Sequence, residues 1–345
     1  MTEKPERTVA TLISRVFVLV FAFFLALTLF LVVLSFPLGV YAALFTSISP
    51  GYVPSSLVSF LLWLGPFGFP VFVPLWVVFI IVSAVYLLLF VLAASRGLSP
   101  VSALLESLRK GLSNLLSNDL IVVVVAIGFL AITATAIDTV TTWFGVPVGA
   151  PGGPGLEIFV ATTAAPFFEE VGFRVGIVGL IAFLVSIGKP KKALLQALWR
   201  PGSAYEREEI GTRKTLVVWL AIAASSLIFG YAHISPGTGW AIGKFPEAVY
   251  GGLVLGYVYT KYGFHASVLT HWGIDYLGTV FSFFGQGVYG IPWNSSGPGY
   301  FLQQVVNNDF VAGIGLISLI LVVYLGVKKL RGLRPEQPML APPNS

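Results

Sequence analysis

An all-α polytopic membrane protein is the fold class this sequence predicts, with about eight transmembrane helices and an amphipathic helix lying on the cytoplasmic interface. Three observations predict it. Hydrophobic residues make up 56% of the 345 and charged residues only 10%, and the mean hydropathy is +0.89, a composition that would aggregate as a water-soluble domain. The apolar residues gather into runs of about 20, the length that crosses a hydrocarbon core. Lysine and arginine fall almost entirely in alternate connecting segments, the asymmetry that fixes orientation.

Residues 1–15 read as a cytoplasmic segment carrying Lys4, Arg7 and Arg15, followed by a first span near 16–36. That apolar run is too long for a signal-peptide core and lacks a small-residue cleavage site, so it is a retained helix. The uncharged stretch 37–70, rich in Pro, Gly, Ser and aromatic residues, reads as an outer loop, and a second span follows near 71–94. Ser99-Pro100 is an N-cap with proline in the first turn, after which Val101, Leu104, Leu105, Leu108, Leu112, Leu115 and Leu116 recur at helical spacing. This is the interfacial amphipathic helix. Further spans fall near 120–142, 158–187, 215–235, 245–262, 264–285 and 309–327, separated by a Gly/Pro-rich outer loop at 286–308 that holds the formal sequon Asn294-Ser295-Ser296. The chain thus reads as one transmembrane domain over 16–330, with its motif-bearing core at about 158–285, and a disordered cytoplasmic tail at 331–345.

One side of this layout collects Lys4, Arg7, Arg15, Arg96, Arg109, Lys110, Lys189, Lys191, Lys192, Arg200, Arg207, Arg213, Lys214, Lys261, Lys328, Lys329, Arg331 and Arg334, while Lys244 alone lies on the other. Both termini are therefore expected in the cytoplasm. The pI near 9.3 reflects that orientation and anionic lipid, not nucleic acid. Cysteine is absent, which excludes disulfides, thiol nucleophiles and thiolate metal sites.

Ionisable residues inside spans are costly, so each needs a reason. The fourth span contains Pro166-Phe167-Phe168-Glu169-Glu170-Val171-Gly172-Phe173-Arg174. Glu170 and Arg174 are four apart and share a face, whereas Glu169 points away from the arginine. A carboxylate paired with arginine stays ionised and holds position; one left uncompensated in an apolar site is the better general base. Glu169 is therefore read as the base, with Glu170 and Arg174 as its support. The fifth span supplies Phe229 and His233 on one face, with Gly230 and Ala232 permitting close approach of another helix. The seventh supplies His271 and Asp275, again four apart. Asp138, near the outer end of the third span, is given an interfacial role, and His265, beside Lys261 at the cytoplasmic boundary, a structural one.

Glu-Glu-x-x-x-Arg, Phe-x-x-x-His and His-x-x-x-Asp, in this order on separate membrane helices, resemble the motifs of the CAAX prenyl protease 2-like proteins, also called the CPBP or Abi intramembrane proteases. The resemblance covers about 160–280. Two positions depart from it: Asp275 stands where the prenyl protease has asparagine, and Val175 where glycine is usual. The resemblance implies an intramembrane endopeptidase in which Glu169, with His233, activates a water. His271 and Asp275 then stabilise the oxyanion or place that water, and Glu170, Arg174 and Phe229 complete the site. As an oxyanion donor, Asp275 needs a proton or acts through His271. The implied substrate is a membrane-anchored protein or peptide, prenylated CAAX proteins among them, cut near its C-terminus, with the lipid bilayer as the other partner.

Two further matters stay open at this level. The family's names include metalloendopeptidase, and Glu169, His233 and His271 would be the ligands of zinc or another divalent metal; the favoured reading requires no cofactor, and no His-Glu-x-x-His helix is present. Buried Glu, His and Asp also suit a proton-coupled transporter, against which the absence of repeated halves counts. A member that has lost proteolysis and serves as a membrane scaffold or regulator is the other alternative.

Overall fold

A computed structural model describes residues 5–47, 75–150, 155–205, 212–236, 238–289 and 312–332. Their regular structure is helical, with two isolated bridges, Gly97 to Asn118 and Gly149 to Trp240. The helices are α1 (Pro5–Ser47), α2 (Leu75–Ser95), α3 (Pro100–Lys110), α4 (Asp119–Trp143), α5 (Gly155–Glu169), α6 (Leu180–Val185), α7 (Lys191–Trp199), α8 (Pro201–Tyr205), α9 (Thr212–His233), α10 (Lys244–Tyr262), α11 (Phe264–Tyr289) and α12 (Gly315–Gly332). A wide-turned π segment, Glu170–Gly179, joins α5 to α6. Four helical stretches, Leu12–Leu44, Asp119–Trp143, Leu216–His233 and Ala312–Gly332, are long and apolar enough to cross a membrane, and a shorter apolar one covers Phe79–Ser95. The protein is an all-α membrane protein.

Several boundaries differ from the sequence expectation. Helix α1 starts at Pro5 and continues past Pro37 to Ser47, so 5–15 and 37–47 are helical. It continues because its far end is packed: Ala42 and Ala43 are fully buried, and a Cβ on Gly39 would lie 2.5 Å from the Tyr276 hydroxyl. Neighbouring helices commonly hold a membrane helix together across proline. The amphipathic stretch is cut in two at Gly111, whose φ of +103° is left-handed. Beyond it, Leu112–Ser117 forms a 3-10 turn with Leu115 fully buried. Ser99 caps α3 as expected, accepting from Ser102 N at 3.1 Å. The rest of the 37–70 stretch, most of the 286–308 loop with Asn294, and the tail beyond Gly332 lie outside the described residues.

The long helices alternate in direction, and polar locks hold one end. Asn118 Nδ2 donates to the carbonyls of Ala94 (3.0 Å), Arg96 (3.0 Å) and Leu98 (2.7 Å) while its Oδ1 caps α4. His265 is fully buried there, with Nε2 3.0 Å from Asp119 Oδ2 and its ring stacked on Trp199. It joins the start of α11 to the start of α4, away from the other two histidines. At the opposite end the loop after α4 is laced to the loop before α10 by Ala241 N to Val148 O (2.8 Å) and Gly243 N to Pro147 O (2.9 Å). Gly149 (φ +76°) lies in that lacing, where a Cβ would come 2.6 Å from Ala241 N.

Small residues set a close contact between α9 and α10. A Cβ on Gly252 would lie 2.9 Å from Ser226 Cα, and one on Gly230 would lie 3.2 Å from Phe245 O. In lipid, where apolar burial between helices gains little, such close van der Waals contact is what joins them. Gly252→Leu should therefore lower stability by about 1–3 kcal/mol, the usual cost of overpacking, and lower the thermal unfolding temperature in detergent. Gly251→Leu, whose nearest neighbour would be Leu130 Cδ1 at 4.0 Å, should leave that temperature nearly unchanged.

Candidate active site

Pro166 lies inside α5 and offers no N–H to the preceding turn. One turn later the helix widens at Glu170. Wide turns of this kind occur most often at functional sites. Ser225 of α9 donates to the carbonyl of Phe173 in the widened segment at 2.7 Å, which fixes α9 against it. The segment carries Glu170 and Arg174, both wholly buried, with Arg174 Nε 3.3 Å from Glu170 Oε2. The guanidinium carbon lies 4.6 Å from the centroid of the Phe229 ring. Its two terminal nitrogens have no hydrogen-bond partner among the described residues, so the aromatic face and Glu170 supply its compensation.

Helix α11 supplies the other half. The Ser267 hydroxyl reaches Glu170 Oε2 and lies 3.1 Å from Leu255 O. One turn on, His271 Nδ1 donates to Glu170 Oε1 at 3.1 Å. That bond fixes the ring so that Nε2 faces two further carboxylates, Glu169 Oε2 at 3.7 Å and Asp275 Oδ2 at 3.5 Å. The three acids differ in access. Glu170 is sealed, whereas the Glu169 and Asp275 side chains are 31% and 28% exposed. Glu169 Oε2 itself is buried and, apart from its approach to His271 Nε2, has no hydrogen-bond partner among the described residues.

The sequence-selected residues are thus brought together on one histidine. Glu169, Glu170 and Asp275 surround His271, and Arg174 braces Glu170. Phe229 packs edge-on against His271 (5.7 Å between centroids) and at a tilt against His233 (4.5 Å). His233 ends α9, its Nδ1 donating to Phe229 O at 2.9 Å and leaving Nε2 unengaged by that bond. No ion pair joins His233 to Glu169 among the described residues; the imidazole facing Glu169 is that of His271. Ser267 and Ser225 escaped sequence reasoning. Each stands four residues before a selected one, Ser267 before His271 and Ser225 before Phe229, and that spacing was the available signal. Trp272 is a further supporting residue, fully buried and stacked between Phe36 (5.5 Å) and Tyr276 (4.6 Å). It fixes the rotation of α11 and so the direction of His271.

As ligands of a metal the residues do not fit. Among the described residues no three of His, Asp and Glu stand so as to hold an ion. No catalytic step is therefore derived through a metal.

Residues 151–277 match the family model described as Rce1-like, type II CAAX prenyl endopeptidase Rce1-like. Every motif residue from Glu169 to Asp275 falls inside that segment, whose similarity to this family supports the resemblance its motifs carry. No curated protein and no solved structure matches the chain.

Removing one member of the buried pair strands the other. Glu170→Leu should lose about 3–5 kcal/mol, the cost of an uncompensated buried charge. Glu170→Leu with Arg174→Met should recover most of it, since a buried pair replaced by apolar groups is close to neutral. Thermal unfolding of both variants in the same detergent checks this; equal losses would remove the pair from its supporting role.

Proposed function

We propose that this protein is an intramembrane endopeptidase that hydrolyses a peptide bond near the C-terminus of a membrane-associated substrate. The observation that carries the reading is the convergence of Glu169, Glu170 and Asp275 on His271, inside a segment that matches a CAAX endopeptidase family. In this reading Glu169 is the general base. A water held between Glu169 and His233 Nε2 gives its proton to the carboxylate as its oxygen adds to the scissile carbonyl carbon. His271 and Asp275 face the carbonyl oxygen as its charge develops, Asp275 carrying a proton or acting through His271. The C–N bond then breaks, and the proton held by Glu169 passes to the leaving amine. Glu170, Arg174, Ser267 and Phe229 hold His271 in place.

The same proposal includes the setting. Helices α1, α2, α4, α5 with the π segment and α6, α9, α10, α11 and α12 are taken as eight membrane spans of one domain, with both termini in the cytoplasm and α3 on the cytoplasmic interface. The distribution of lysine and arginine supports that orientation, and the exposed Val101 and Leu105 beside the buried Ala103 and Ser107 suit a helix lying flat there.

Glu169→Gln keeps the shape and removes the base. Turnover of a quenched-fluorescent farnesylated CAAX peptide by purified protein should fall by about 10²–10⁴-fold, with the unfolding temperature unchanged. The unprenylated twin measures the lipid requirement: cleavage of both at equal rates keeps the protease and removes that requirement. Undiminished cleavage by Glu169→Gln would end the assignment of the base.

A further inference from the structure

We propose that helix α7, together with Arg200 and Lys261, binds the headgroup of an acidic phospholipid at the basic end of the bundle. This surface is independent of the reaction assigned to Glu169.

Helix α7 is too short to span. Its nine residues, Lys191–Trp199, rise about 14 Å at 1.5 Å each, against a hydrocarbon core of about 30 Å. Its C-terminal end is fastened to the end of α10 and the start of α11. Tyr259 Oη donates to Leu198 O at 2.5 Å, and Arg200 Nε donates to Lys261 O at 2.6 Å. The Trp199 ring stacks on His265, which Asp119 holds. A Cβ on Gly202 would lie 2.6 Å from Thr260 O, so the turn after α7 rests directly on α10.

The opposite face of α7 is uncovered. Ala197 is fully buried, whereas Lys191, Lys192 and Leu195 lie on the far side of the helix and are exposed. Leu195 is 68% exposed, and Ile187, just before α7, is 65% exposed. Lysine ammoniums require water or an anion, and exposed leucine and isoleucine require hydrocarbon. The boundary between headgroups and acyl chains supplies both.

Charge complementarity names the occupant. Between Glu170 and Glu206 the chain carries Arg174, Lys189, Lys191, Lys192 and Arg200 and no acid, and between Glu247 and Asp275 it carries Lys261 and no acid. Glu206, Glu208 and Glu209 lie outside the described residues. Among those described, no carboxylate pairs with Lys191, Lys192, Arg200 or Lys261. With Nε given to the Lys261 carbonyl, the two terminal nitrogens of Arg200 remain for a phosphate, which a guanidinium fork matches. Lys261 Nζ donates to Tyr257 Oη at 3.2 Å and stands 5.2 Å from the centroid of Tyr262. Beside it Trp219 stacks on Tyr257 at 6.3 Å, both partly exposed, and aromatic residues of this kind settle at headgroup level. A zwitterionic headgroup brings its own cation into this cluster; an acidic one does not.

Helix α7 also packs against the π segment that carries Glu170 and Arg174. A lipid bound to the folded state alone therefore stabilises that state by mass action.

The full-length chain in a neutral detergent is titrated with phosphatidylglycerol and, separately, with phosphatidylcholine of the same acyl chains, and bound lipid is counted by native mass spectrometry. The expected result is tighter binding of phosphatidylglycerol, weakened about 30-fold in Arg200→Gln/Lys261→Gln through the loss of two basic contacts. Lys328→Gln/Lys329→Gln, which removes the same charge from the exposed end of α12, should keep the wild-type affinity. Lys191→Gln/Lys192→Gln should weaken binding in the same direction; if the first variant does not fold, unchanged affinity in this one overturns the proposal. Equal affinity for the two lipids would overturn it, and so would equal losses in the α12 control, which would reduce the effect to net charge. Displacement of the lipid by an equal concentration of inorganic phosphate would overturn the lipid as occupant in favour of a free anion.

Discussion

A single buried ion pair organises this molecule. Glu170 and Arg174 are both without solvent access, and a charge in that setting is tolerable only when its partners are fixed. The partners come from two other helices. Ser267 and His271 come from α11, and Phe229 comes from α9, whose Ser225 also holds the carbonyl of Phe173. Satisfying one carboxylate and one guanidinium therefore sets the separation and rotation of three helices at once. The direction of the reactive groups follows: with His271 Nδ1 given to Glu170, only Nε2 can face Glu169 and Asp275.

Adjacent glutamates in one sequence thereby acquire different physical lives. Glu170 is compensated by an arginine, a serine and a histidine, so its role is to hold. Glu169, one residue earlier and turned away, keeps an oxygen approached only by His271 and side-chain access of about a third. This is the usual logic by which paired carboxylates divide into a structural acid and a reactive one. The proline at 166 and the widened turn after it contribute, because they change the phase of the helix just where the two acids part.

The rest of the bundle serves this constraint. Gly230, Gly252 and Ser226 let α9 approach α10 closely enough to hold His233 at the rim. Trp272, wedged among Phe36, Tyr86 and Tyr276, does the same for α11. The basic end is closed by Asn118 and by the pair of His265 with Asp119.

Much of this was legible in the sequence because it depends on local periodicity. Apolar runs marked the long helices, and spacing of four placed Glu170 with Arg174, Phe229 with His233 and His271 with Asp275 on common faces. The helical character of 37–47 was not legible, since Pro37 and Gly39 read as loop until Phe79 and Tyr276 are seen packed on Gly39. Nor was the break at Gly111, whose leucines continue the stripe on both sides of a left-handed residue. What the sequence determined by itself was the solvent, the helices and the candidate residues, all of which follow from composition and a period of 3.6. The tertiary structure alone decided that His271 stands at the centre and that Ser267 and Trp272 hold it. These depend on crossing helices whose separation no one-dimensional pattern encodes.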